Sequence, residues 1–499
     1  MKKTKYLLAL LLIPLMALFS SCILIKNRTT YYEYEQTPVN QISYSDIYNT
    51  QGINKLPSVG DYNVLVLPIE FNGDLFPTEY KDCLNRAFNG SSDKNSELYT
   101  GYSESVKSFY YKSSYGKLNL SFTVADKYEV GLSARQWYSS SNSKLQVIDG
   151  ENDYDNGVNL IGRALDSFKS NNDAISFDEN EDGWIDAIIG VYSAPYTSNG
   201  KNIWDTNDYY WAYVYAATGY ETDYSKADLS NPGFNVYGFL SYSFFFDNTK
   251  SPAVDYHTMV HEFGHILGLD DYYASSGSFD PMGKVVMEDY NICDHDMFSK
   301  VALGWVDPIV GNVDGTVTLK EGECLLIPSS EGWNQTAFDE YILLEYYTPT
   351  GLNALDSTIQ YPNRSLGLTD YGIKIYHVDA RLIDDEGTNK YLYWSNIKNQ
   401  SLTKGYIYQV ACSNCHKSDN TDFADYSLCH MIEATNKFKF ALGYGATNDD
   451  LFKEGQTFSL KAYQKFFEEG TTLNSGNSFN NSITINSISS ESASIIIKK

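Results

Sequence analysis

Basic residues are scarce in this 499-residue chain: Lys and Arg number 37 against 63 Asp and Glu, a formal charge of −26 with a pI near 4.6. Such a surface repels phosphate backbones, so no nucleic acid partner is expected. No repeat recurs at solenoid periods. Beyond the N-terminus no apolar run is long enough to cross a bilayer. Histidine is rare as well, with 7 copies, so two of them close together carry information. What the chain does have is apolar material: 42% hydrophobic residues and 15% aromatic ones, 43 of them Tyr, enough to bury a core. Its length exceeds one ordinary core and predicts two compact units plus a tail.

The N-terminus reads Lys2, Lys3 and Lys5, an apolar run from Tyr6 to Phe19, then Ser20, Ser21 and Cys22. A basic start, a short apolar run and small residues make an export signal, too short for a permanent span. Small residues directly before a cysteine resemble the bacterial lipoprotein signal. That resemblance implies a lipid on Cys22 and an extracytoplasmic location, membrane-anchored or secreted. A plain signal peptide or uncleaved anchor is the alternative. Setting Cys22 aside leaves six cysteines, at 83, 293, 324, 412, 415 and 429. Disulfides suit an exported chain but are not required. Cys412-Ser413-Asn414-Cys415-His416 also fits c-type haem attachment; a disulfide or a small structural metal site with Cys429 and His430 is the plainer reading.

Residues 1–22 thus read as signal and 23–60 as tether or short propeptide, polar and Tyr-rich without periodicity. Val64 to Phe71 and Asp186 to Tyr192 are continuous apolar runs of strand length. Ser103 to Lys112 and the set Val158, Ile161, Leu165 and Phe168 fit helices, and Lys117 to Val124 an extended segment. Tyr237 to Phe246 reads as a strand, either an edge that binds extended substrate by main-chain pairing or a strand in the core. After Trp305 come short runs separated by turn residues, a mainly β unit over 311–499.

His261-Glu262-Phe263-Gly264-His265 sets two imidazoles four residues apart, on one face of a helix, where they can grip one ion. Val260, Phe263, Gly264 and Leu267 form an apolar stripe beside them, and Gly268 stands where a left-handed C-cap is wanted. With so few histidines this pattern would arise by chance on the order of once in two hundred such chains. The metal reading is zinc, which lowers the pKa of a bound water to about 7, with Glu262 as the base that takes its proton. From His261 the spacing is HExxHxxGxxD, which makes Asp271 the third ligand; Glu288 and the adjacent Asp270 are the alternatives. His257, a turn upstream, supports the site or is simply exposed. Asp178, Asn180, Asp182 and Asp186 alternate as oxygen donors about Gly183, with the Trp184 carbonyl among them, a loop able to wrap calcium. Its twelfth position is Ile189, so another segment must complete the shell; a plain acidic turn is the alternative.

These segments resemble the immune inhibitor A family of secreted bacterial metallopeptidases. The resemblance rests on HEFGHILGLDDYY at 261–273, FDPMG at 279–283 and FSKVALGW at 298–305. VKSFYYKSSYGKLNL at 106–120, DENEDGWIDAIIGVY at 178–192 and GIKIYHVD at 372–379 add to it, so it covers about residues 60 to 400. It implies an α+β chain: a zincin-like, metzincin-type catalytic domain over 61–310, then the mainly β domain. It further implies zinc, structural calcium, a protein or peptide substrate, and Met282 beneath the metal as a Met-turn, where a core methionine is the alternative. The family usually has Pro where this chain has Asp270, and Trp-Asp-Leu where it has Phe279-Asp280-Pro281. An inactive scaffold serving as a surface binder, and a haem lipoprotein, are the competing classes.

Overall fold

The computed structural model describes residues 36–39, 42–91, 104–138, 144–148, 151–154, 156–195, 212–217, 227–245, 257–270, 293–311, 313–354, 357, 367–385, 406–409, 428–437, 446–467 and 470–499. Cys22, Asp271, Met282, Glu288 and the stretch Cys412 to His416 lie outside them.

Side-chain alternation explains the first sheet. In β1 (Gly60–Glu70) Val64 and Val66 join one core and Leu65, Leu67 and Ile69 the other, as in a strand covered on both faces. β2 (Leu118–Val124) and the short β3 (Tyr128–Glu129) pair with β1 in parallel. A separate hairpin joins β4 (Lys144–Ile148) to β5 (Glu151–Tyr154). The sheet is completed by β6 (Ala187–Tyr192), β7 (Tyr213–Ala216) and β8 (Val236–Ser241) in the order β2-β1-β6-β8-β7. All pairings are parallel except β7 with β8.

The aromatic stretch 237–246 takes the core option: β8 lies between β6 and β7, all its residues are buried, and Tyr242–Phe245 turns into a 3-10 helix. Tyr237 and Phe239 point into the core and leave that strand no wet face. The edge falls instead to β7, whose residues are part-exposed.

The described helices are α1 (Tyr44–Asn49), α2 (Tyr80–Asn89), α3 (Val106–Ser113), α4 (Ala134–Tyr138), α5 (Asn156–Lys169), α6 (His257–Ile266) and α7 (Met297–Ala302). Apolar residues of α2, α3, α6 and α7 cover the Val64 and Val66 side of the sheet, those of α4 and α5 the other. Residues 42–58, the later part of the expected tether or propeptide, are not a free strap. Tyr44, Ile47 and Leu56 are buried in the same core as α6, because their apolar side chains find a face to cover.

Beyond α7 the regular elements of the described chain are strands joined by loops and short 3-10 turns. β9 (Ile309–Val310), β10 (Gly315–Leu319), β11 (Cys324–Pro328), β12 (Glu340–Tyr347) and β13 (Gly372–Asp379) come first. The hairpin β14 (Leu382–Asp385) with β15 (Tyr406–Gln409) follows, then β16 (Cys429–Ile432), β17 (Thr457–Phe458), β18 (Ser482–Ile488) and β19 (Ala493–Lys498). They form one sheet ordered β16-β13-β12-β11-β9 and another ordered β10-β19-β18-β17, with Ile327, Leu344, Phe458, Ile485 and Ile495 in the core they share. The opposite face of the larger sheet sends Leu326, Tyr341, Leu343 and Tyr376 into the cluster that holds α6 and α7. The fold is therefore mixed α and β, with several sheets and few helices, as the α+β expectation requires at that level. No described helix is long and apolar enough to cross a membrane.

Candidate metal centre

Helix α6 is fixed first by what it buries. Met259, Val260, Phe263 and Ile266 are inaccessible, and burying Phe263 alone contributes about 1.5–3 kcal/mol. The Tyr110 hydroxyl donates to the Val260 carbonyl at 2.7 Å and its ring lies 5.0 Å from that of Phe263. This packing sets the rotation of the helix and hence the face that carries the histidines. The helix stops as the sequence predicts. Gly268 sits at φ +101°, the Leu269 amide donates to Gly264 O at 3.0 Å and the Gly268 amide to His265 O at 3.1 Å, a Schellman closure. A Cβ on Gly268 would lie 2.5 Å from Tyr44 Cβ, so α1 as well as φ requires glycine there.

Along one face of α6 His261, buried, and His265, half-buried, meet. Their Nε2 atoms are 3.2 Å apart, with ring planes at 84°. His265 Nδ1 lies 2.8 Å from the Leu269 carbonyl. A carbonyl only accepts, so Nδ1 carries the proton and Nε2 offers its lone pair toward His261. Two ligand nitrogens of one tetrahedral zinc, each about 2.0–2.1 Å from the ion, stand about 3.3 Å apart. The pair therefore fits one ion. His261 and Glu262 are 7% and 5% exposed. Asp271, the expected third ligand, is outside the described residues, as are Glu288 and Met282. Among the described residues no three His, Cys, Asp or Glu side chains converge into a complete metal cage. His257, part-buried at the start of α6, has Nε2 3.5 Å from the Thr258 hydroxyl.

Sequence reading missed the surroundings of this turn. The Lys55 ammonium donates to the His265 carbonyl at 2.6 Å and stands 4.8 Å from the Tyr48 ring centre. Burial pulls Lys55 down to about 8, with Asp270 opposing. Burial pushes the Tyr48 phenol up, and Asp270, 3.5 Å from its hydroxyl, adds to this. Below α6, Lys300 is buried against Asp294 at 2.6 Å and the Tyr115 hydroxyl at 3.1 Å, while His295 Nδ1 meets the Ser113 hydroxyl at 2.8 Å. Ser113, Tyr115 and Lys300 lie in segments already singled out, but no spacing rule shows that they meet.

The acidic loop is ordered by its own backbone. Asp178 accepts from the Asp182 and Gly183 amides at 3.0 and 2.9 Å, and Asp182 from the Trp184 amide at 2.9 Å. Asp182 Oδ2 also receives the Asn180 and Asn54 side-chain amides at 3.0 and 3.1 Å. Gly183 has φ +86° and no room for a Cβ, which would lie 2.6 Å from Asp228 N. Asp186 Oδ2 accepts from the Glu179 amide at 2.8 Å, but its buried Oδ1 has no hydrogen-bond partner. Burial pushes the Asp186 carboxyl up to about 7, with Asp178, Asp182 and Glu179 adding to it against the Glu179 amide. A buried, unsatisfied carboxylate oxygen is costly. A cation would offset that cost.

Cys83, Cys324 and Cys429 are free thiols; Cys22, Cys412 and Cys415 lie outside the described residues. Cys429 is buried in the core, and beside it His430 pairs across strands with His377. His377 Nε2 is 2.8 Å from Glu340 Oε1. No protein-family model matches this chain, and no curated protein matches its sequence.

Proposed function

We propose that this chain is a zinc-dependent metalloendopeptidase with a zincin-like catalytic domain, exported and held at the membrane by a lipid on Cys22. The observation that carries the reading is the His261–His265 pair, with Nε2 atoms 3.2 Å apart and the outer nitrogen of His265 committed to a backbone carbonyl. Metal-binding imidazoles are commonly oriented in this way. His261, His265 and Asp271 would hold the ion. Zinc held there would supply a Lewis acid for the scissile carbonyl and would lower the pKa of a water to about 7. Glu262, next to the first ligand on α6, takes the proton of the attacking water and returns it to the leaving amine. Among the described residues β7 ends the sheet, and its outer edge would offer main-chain groups to an extended peptide.

Calcium at Asp178, Asn180, Asp182, the Trp184 carbonyl and Asp186 belongs to the same reading, supported by the unsatisfied Asp186 oxygen. Zinc content measured together with casein hydrolysis tests the activity. Metal-dependent cleavage that disappears in Glu262→Ala supports it, and equal cleavage by that variant refutes it. Detergent partitioning of Cys22→Ala against wild type tests the anchor; identical distributions would remove it.

A further inference from the structure

We propose that Lys55 is a positioning residue for the metal centre, acting through the last turn of α6; this rests on the zinc reading above. The final carbonyls of a helix lack intrahelical partners and carry the negative end of its dipole. At α6 one of these, His265 O, takes the Gly268 amide and the Lys55 ammonium. The same ammonium interacts with the Asp270 charge, at the residue that follows Leu269. Leu269 in turn supplies the carbonyl that fixes the His265 ring. A single cation thus ties together the backbone of His265 and the turn that decides which of its nitrogens is free for the ion.

Lys55 is itself delivered rigidly. The Leu56 amide donates to Ile266 O at 3.1 Å, the Asn54 amide to Asn235 Oδ1 at 2.8 Å, and the Asn54 side chain to Asp182 of the acidic loop at 3.1 Å. Residues 54–56 therefore clamp the end of α6 between two fixed points. Removing such an outer partner typically costs 10–100-fold in metal affinity.

The test is zinc affinity by chelator competition on the full chain, with metal-free melting recorded alongside. Wild type, Lys55→Met, Lys55→Gln, Lys55→Arg and His265→Ala are compared. Lys55→Met is expected to weaken zinc about 10–100-fold, with Lys55→Gln between it and wild type and Lys55→Arg recovering most of the loss. Wild-type affinity in Lys55→Met overturns the positioning role while leaving the zinc reading intact. So does a loss in Lys55→Arg as large as in Lys55→Met, because the role needs the charge. If Lys55→Met does not fold, Lys55→Gln and Lys55→Arg decide in the same way. Equal, weak zinc binding by wild type and His265→Ala overturns the zinc reading, and this proposal with it.

Discussion

Among the described residues two pairs of imidazoles face each other, His261 with His265 and His377 with His430, and their surroundings differ. His261 and His265 lie a turn apart on α6, with Nε2 atoms facing each other and the outer nitrogen of His265 tied to Leu269 O. His377 and His430 lie opposite each other on β13 and β16. There the ring nitrogen that could bind an ion is used: His377 Nε2 meets Glu340 Oε1, which also accepts the Asn474 amide at 2.6 Å. Burial raises Glu340, but the hydrogen bond and charge of His377 outweigh it and hold that carboxyl below its usual range. Burial and then His377 push His430 down to about 4. In the first pair the two Nε2 atoms face each other; in the second, His377 Nε2 is committed to Glu340 while His430 is buried.

The sharpest way to break this comparison is through Glu262. Replacing it by Ala should leave zinc bound and lower casein hydrolysis by about 10²–10⁴-fold, the usual worth of a general base. Loss of zinc in that variant would instead make Glu262 a ligand. His377→Ala should do the reverse, destabilising the protein by about 1–3 kcal/mol in urea titration by removing one hydrogen bond of the buried Glu340 carboxylate, which keeps the Asn474 and Ser475 amides, with zinc affinity unchanged. Calcium at about a hundred times its Kd should stabilise the chelator-treated protein by about 2.7 kcal/mol; an unmoved melting curve would reduce the loop to an acidic turn.

Two further effects lie in pH. Asp186 has its folded pKa raised from 3.8 to about 7, so without cation the native state binds more protons between those values. Its contribution is whole below about pH 4 and is lost as pH rises through 7. His430 works oppositely: its folded pKa is lowered from 6.5 to about 4, and stability falls as pH drops through that window. Asp186→Asn should flatten the first slope and abolish any calcium response, and His430→Asn should flatten the second. Melting temperatures from pH 4 to 7 check both; unchanged slopes would show that other groups set them.

The same contrast explains what could be read from the sequence. The α6 pair is local, so its spacing of four and Gly268 give the helix, its facing histidines and its closure. β1 and β6 announce themselves as unbroken apolar runs for the same reason. His377, His430 and Glu340 come together only through strand register, and Lys55 reaches His265 from 210 positions away; no spacing rule records such pairings. Residues 42–58 look polar and aperiodic, yet Tyr44, Ile47 and Leu56 are enough to seat them in the core. The edge strand was legible as a type but not as a place, since β7 is short and β8 is the more apolar of the two.

Zinc bound per chain, measured after dialysis for wild type, His265→Ala and His430→Asn, tests the central claim most directly. The account predicts equimolar, tightly held zinc in wild type and His430→Asn and its loss in His265→Ala. Retention of equimolar zinc by His265→Ala, or its absence from wild type supplied with zinc, would contradict it.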